Sequence, residues 1–127
     1  MIPYCQRTGV GLIPWSPNAR GVLTRPYDSR DSLREQTDKN VANYVRKNES
    51  ETDRQIIGKV EEIARRKGVK MAQVATAWCL SKGVMPIVGL GSKERIDQAV
   101  ESLKVKLSVE ELEELEGPYA PKKVSGY

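Results

Sequence analysis

Val84-Met-Pro-Ile-Val-Gly-Leu-Gly-Ser-Lys-Glu-Arg95 is the stretch on which the fold turns. Val84 to Val88 is a short apolar run of strand length, the pattern of a buried strand. Gly89-Leu-Gly91 follows as a tight turn. Ser92 is a good N-cap for a helix whose Ile96, Ala99, Val100 and Leu103 face the core. The same order, apolar run then polar loop, occurs earlier. Val10-Gly-Leu-Ile-Pro-Trp15 is apolar on consecutive positions, as in a parallel strand covered on both faces, and Ser16-Pro-Asn-Ala-Arg-Gly21 leaves its end.

Outward from these two segments the chain reads as helices. Ile2 to Thr8 is the end of a helix closed by Gly9, a residue that tolerates the left-handed conformation of a C-cap. Thr52-Asp-Arg-Gln55 has the capping-box pattern, and Ile56, Val60 and Ile63 follow at helical spacing up to Gly68. Met71, Val74, Ala75 and Trp78 mark a further helix ending near Gly83. Ser108-Val-Glu-Glu111 is a second capping box, with Leu112 and Leu115 on the buried side. Residues 16–50 read as a long loop with a short helix near Val41–Arg46, and the tail from Gly117 as irregular. Loops this long in a compact domain are functional or disordered.

The order helix, strand, long loop, two helices, strand, turn and two helices is that of an α/β parallel architecture. Only two strands are present, and two parallel strands do not make a stable sheet. The 127 residues therefore read as one partial domain of a larger α/β protein. Open apolar strand edges favour dimerisation or a partner that supplies further strands.

Composition narrows the chemistry. With 39% hydrophobic and 30% charged residues the chain has the balance of a soluble protein, and no apolar run approaches the ~20 residues that span a bilayer. It contains no His, which removes a His general base, a His triad and a His-ligated metal site. Two cysteines, Cys5 and Cys79, are too few for a zinc ribbon or a disulfide scaffold. Absence of Phe and only 6% aromatic residues make for a thin core. The N-terminus lacks the apolar region of a secretory signal, so reduced thiols and a cytoplasmic location are expected. A net charge of +4 favours an anionic partner: nucleic acid, a phosphorylated cofactor or an acidic protein.

Two loops carry chemistry, each directly after a strand, where α/β proteins bind ligands. In the second, Gly89 and Gly91 let backbone N–H groups approach an anion, Ser92 and the helix start add donors, and Lys93 and Arg95 add charge. An ordinary capped helix start is the alternative. The dinucleotide fingerprint would need Gly at position 94, where Glu94 stands, and there is no P-loop. In the first loop Trp15 offers a flat face for an aromatic ligand, the alternative being a core tryptophan. In an eight-stranded parallel barrel the loops after the last two strands form the phosphate site.

Ile13-Pro-Trp-Ser-Pro-x-Ala-Arg-Gly-x-Leu23, Ala72-Gln-Val-Ala-x-Ala-Trp-Cys-Leu80, Pro86-Ile-Val-Gly-x-x-Ser-x-x-Arg-Ile96 and Leu107-Ser-x-Glu-Glu-Leu-x-x-Leu-Glu-x-Pro-Tyr119 together resemble the C-terminal part of an aldo-keto reductase of the aryl-alcohol-dehydrogenase-like branch. The resemblance implies the C-terminal portion of a (β/α)8 TIM barrel, with about two of its eight strands, over residues 1–127. It implies an oxidoreductase that transfers hydride from NADPH to an aldehyde or ketone. Trp15 would stack on the nicotinamide. Ser16, Pro17, Asn18, Ala19 and Arg20 would line the pyrophosphate path, with Gly21 and Leu23 beside it. Arg30 matches a loop arginine that closes over the cofactor. Gly89, Gly91 and Ser92 would hold the adenosine phosphate end, Arg95 would face the 2′-phosphate, and Gln98 would lie near the adenine.

Three positions depart from the family pattern: Asn18 for a commoner Leu, Pro26 for Lys, and Ala99 for Asn. The family's catalytic Asp, Tyr, Lys and His lie on earlier strands, so no catalytic or metal-binding residue is assigned in this chain. A small carbonyl substrate is expected only where the N-terminal half is supplied, and the chain alone is expected to be inactive. Residues resembling the family's mid-chain helix follow Met1 at once, as for an internal methionine taken as a start. A stand-alone NADPH-binding or partner-dependent regulatory module is the alternative. A remoter one is a helix-turn-helix DNA binder built on Ile63–Gly68 and Met71–Leu80, in which Lys70, Gln73 and Thr76 would read bases. Neither a nucleic-acid partner nor a membrane is expected.

Overall fold

The computed structural model describes residues 1–29, 36–39, 43 and 46–122. The α-helices that bear on the site are α1 (Ile2–Thr8), α2 (Glu51–Lys67), α3 (Met71–Ser81), α4 (Lys93–Glu101) and α5 (Val109–Glu116). A 3-10 segment spans Ala19–Thr24, and shorter ones span Arg46–Asn48 and Ser102–Lys104. The helix expected near Val41–Arg46 falls largely outside the described residues.

Local chemistry sets the helix ends. Gly9 and Gly68 adopt φ of 71° and 66°. At Gly68 the chain closes a Schellman motif, in which Gly68 N–H donates to the Arg65 carbonyl and Val69 N–H to the Ala64 carbonyl. Ser108 and Glu111 cap each other at the start of α5, as the sequence predicts. The first capping box is shifted. Ser50, not Thr52, caps α2, because Asp53 reaches back to the Ser50 N–H at 2.8 Å while the Ser50 hydroxyl accepts from Asp53 N–H at 3.3 Å.

The core lies between helices rather than between helix and sheet. Ile57, Val60, Ile63 and Ala64 of α2 meet Met71 and Val74 of α3, Leu115 of α5 and Val22 of the 3-10 segment. Helix α3 is buried nearly all round, with Gln73, Ala75, Thr76, Ala77 and Cys79 also inside. That burial bears on the DNA-binding alternative: Gln73 and Thr76 point into the protein, so α3 cannot present them to a groove.

The two expected strands are corrected by the structure. Among the described residues there is no strand, only one parallel bridge, Trp15 to Ile87. Met85 N–H donates to the Leu12 carbonyl and Ile87 N–H to the Pro14 carbonyl, both at 2.9 Å. Pro14 has no N–H to return a bond to the second segment and extend the ladder, and Ser16 at φ 61° turns the chain out of the extended region. Nor are the segments covered on both faces. Val10, Ile13, Trp15, Met85 and Ile87 are exposed, whereas Val84 is buried. Helix α4 differs in the same way: Ile96, Val100 and Leu103 are exposed rather than core-facing, and α4 has no buried residue. Both faces lack the neighbouring strands and helices that would cover them within these residues.

Candidate functional site

The parallel bridge sets Trp15 and Ile87 side by side, so the loops that follow them leave the same end of the paired segments. The first loop is fastened from below and free above. Val22 is buried in the core, and Ala19 and Leu23 pack against it. Ser16 organises the turn: its hydroxyl accepts from Arg20 N–H and its carbonyl from Ala19 N–H, both at 2.9 Å. The Asn18 carbonyl accepts from Gly21 N–H at 2.8 Å and from Leu23 N–H at 3.3 Å. The Asn18 side-chain Oδ1 is buried without a hydrogen-bond partner. Trp15 remains exposed, and the Arg20 guanidinium lies over its ring, 4.8 Å from the centroid.

The second loop is more open than the sequence suggests. The tight turn expected at Gly89-Leu-Gly91 is absent, and neither glycine adopts a positive φ. A side chain at Gly89 would meet nothing within 4 Å, and one at Gly91 would meet only the Arg95 side chain, at 3.8 Å. Ser92 caps α4 as predicted, its hydroxyl accepting from Arg95 N–H at 3.3 Å. Lys93 is engaged with Asp97 at 2.8 Å, whereas the exposed Arg95 has no ion pair among the described residues. Gln98 donates to Glu94 at 2.8 Å. Its backbone carbonyl accepts from the buried Gln73 amide at 3.3 Å and from the Ser102 hydroxyl at 3.0 Å. Gln73, which also donates to Glu101 and accepts from Lys70 N–H, thus ties α4 to the core. Sequence reading missed that role, for which a glutamine inside an otherwise apolar helix was the available signal.

These residues therefore form two adjacent loops on an open surface. Arg30 lies outside the described residues. A cavity of about 910 Å³ lies elsewhere: it opens between α1, α2, α3 and α5, is lined by Ile56, Val60, Trp78 and Tyr119 among others, and takes only Pro17 and Leu23 from the first loop. At its rim the Glu116 carboxylate accepts from Trp78 Nε1 at 2.8 Å and pairs with Lys82. Lys82 above all, with help from Trp78 and against burial, holds that carboxyl below its ordinary value. Cys5 and Cys79 are free and buried, and burial pushes the Cys79 thiol up. Among the described residues no group of three His, Cys, Asp or Glu side chains could hold a metal ion, and no helix is long and apolar enough to cross a membrane.

An exposed tryptophan under the Arg20 guanidinium thus offers a flat apolar face beside a positive charge. Comparison with known proteins gives the family. Residues 1–119 match the model of the aldo/keto reductase family, and the chain belongs to that family. Versiconal hemiacetal acetate reductase of Aspergillus parasiticus is 58% identical over 125 residues, which are 98% of this chain and 36% of that protein. C750.01 of Schizosaccharomyces pombe, whose name assigns it provisionally as an aryl-alcohol dehydrogenase, is 48% identical over 99% of this chain and 38% of its own length. The thermostable aldo-keto reductase Tm1743, solved with the inhibitor epalrestat, superposes with a TM-score of 0.66 at 26% identity, covering 93% of this chain and 33% of that one. The chain thus spans about a third of the length of the relatives it matches.

Proposed function

We propose that residues 1–127 are the cofactor-side, C-terminal portion of a (β/α)8 aldo-keto reductase domain that uses NADPH to reduce an aldehyde or ketone. The observation that carries this reading is the parallel Trp15–Ile87 bridge, which sets the two loops at one end of adjacent segments. NADPH, when bound, supplies the hydride. The residues of this chain hold and orient it. Trp15 offers its ring to the nicotinamide. Ser16, Pro17, Asn18, Ala19 and Arg20 line the pyrophosphate path beside Gly21 and Leu23. Gly89, Gly91 and Ser92 receive the adenosine phosphate end, Arg95 the 2′-phosphate, and Gln98 the adenine once it leaves Glu94. Arg30 is proposed on the family pattern alone. Carbonyl reduction also needs a proton donor, and this chain offers no His and no residue matched to the family donor, so the chain alone is inactive. Free, buried thiols at Cys5 and Cys79 support a cytoplasmic setting.

Calorimetric titration tests this. NADPH should bind saturably and more tightly than NADH, and Arg95→Ala should narrow that preference by about tenfold, the loss of one charge-assisted contact to phosphate. Folded chain that binds neither nucleotide contradicts the reading. A specific observation favours association as well. Ile13, Met85, Ile87, Ile96, Val100 and Leu103 are all exposed, an apolar surface suited to a second copy or to a chain carrying the remaining barrel strands. Sedimentation showing a clean monomer at all concentrations would remove the second-copy reading.

A further inference from the structure

The Arg20 guanidinium lies 4.8 Å from the centroid of the Trp15 ring, within the ~6 Å over which a cation is attracted to an indole face. Trp15 is 68% exposed, so this contact is made at the surface and not in the core. The backbone that delivers it is costly. Ser16, Ala19 and Arg20 have φ of 61°, 46° and 57°, a region in which a Cβ crowds the following carbonyl. Asn18 Oδ1 is buried and unpartnered in the same turn. Such strain persists where the surroundings over-determine it, here through the buried Val22 anchor and the two bonds to Ser16. Among the described residues Arg20 has no carboxylate partner, so the ring is its principal side-chain contact.

We propose that Arg20 determines specificity by competition, its guanidinium and a flat aromatic ligand contending for one face of Trp15. This rests on the reading of Trp15 as a stacking platform. An uncharged ring must displace the cation and gives it nothing in return. A ring that carries phosphates offers the displaced guanidinium charge-assisted hydrogen bonds, which are stronger than its contact with the ring. Arg20 therefore selects against neutral aromatic molecules and for anionic ones, before any residue of a substrate pocket acts.

The test uses the full chain with Trp78→Phe, so that Trp15 alone reports, and two probes: uncharged 1-benzyl-1,4-dihydronicotinamide and NADPH. Arg20→Ala should tighten the neutral probe about twofold to fivefold, the worth of an exposed cation–π contact, and should weaken NADPH. Arg20→Lys, which keeps a cation over the ring, should stay near the parent for the neutral probe and shows that the loop tolerates substitution. Unchanged or weaker binding of the neutral probe to Arg20→Ala overturns the competition. Failure of the cofactor reading looks different: NADPH then does not bind the parent chain, while a tightened neutral probe still upholds the contest for the ring.

Discussion

Glu111→Gln should destabilise the chain by about 1.5 kcal/mol at neutral pH. Glu111 and Glu114 are the α5 carboxylates that pair with α2 among the described residues, and Glu111 is the more buried of the two. It is 7% exposed. Its carboxylate accepts from Ser108 N–H at 2.8 Å, pairs with Lys67 at 2.9 Å and lies 3.5 Å from the Arg66 guanidinium. Glutamine preserves the shape and the cap to Ser108 but discards both ion pairs. Charge-assisted hydrogen bonds contribute about 1.5–3 kcal/mol when sheltered and exposed pairs about 0.2–1 kcal/mol. Lys67 and Arg66 are partly exposed, so the two together fall at about 1.5 kcal/mol. For a chain of this size that is about 6 °C in Tm. Glu111→Ala also loses the cap and should cost about 1 kcal/mol more. Burial works to raise the Glu111 carboxyl, and Ser108, Lys67 and Arg66 outweigh it, so its folded pKa lies below the ordinary value. A depressed folded pKa stabilises above the unfolded value, about 4.3, and the benefit is lost as pH falls through the folded one. Urea unfolding followed by circular dichroism should therefore show a gap between parent and Glu111→Gln at pH 7 that closes toward pH 3. A gap below about 0.3 kcal/mol at pH 7, well under the exposed-pair range, or one that persists unchanged in acid, would refute the reasoning.

Other expectations concern single positions. Gly68→Ala forces a Cβ into φ 66° and should cost about 1 kcal/mol in urea denaturation, although no atom lies within 4 Å of the new methyl. Ser92→Ala removes the only side-chain cap of α4. It should leave global stability nearly intact, because α4 buries nothing, and should speed hydrogen exchange of the Arg95 amide. Ile13→Lys with Ile87→Lys, both at exposed positions, should lower any concentration-dependent association seen in sedimentation while leaving the helical spectrum unchanged.

The helix ends were legible because their causes are local. Gly9, Gly68, Ser92 and the Ser108–Glu111 box each act within a turn or two of chain. The slip from Ser50 to Thr52 has the same origin, since both are hydroxyl residues followed three positions on by a side chain that can reach back, and the shorter Asp53 makes the better acceptor. What the sequence did not show depends on partners distant in the chain. Val10–Trp15 and Val84–Val88 have strand composition, but a ladder needs a donor that Pro14 lacks and an extended chain that Ser16 ends. The apolar stripe of α4 points to a core that these residues do not complete. The two chemical loops were legible as loops after paired segments. The Arg20–Trp15 contact was not, because it requires left-handed residues at Ser16, Ala19 and Arg20, none of which is glycine.

The most direct test of the cofactor-side reading is an amide NMR titration of the isotope-labelled chain with NADPH. The account predicts shifts confined to the Trp15 indole, the amides of Ser16 to Gly21 and those of Gly89 to Gln98, saturating together at one dissociation constant. Shifts centred instead on Val60, Trp78 and Leu115 around the large cavity, or no shifts in a folded chain, would contradict it.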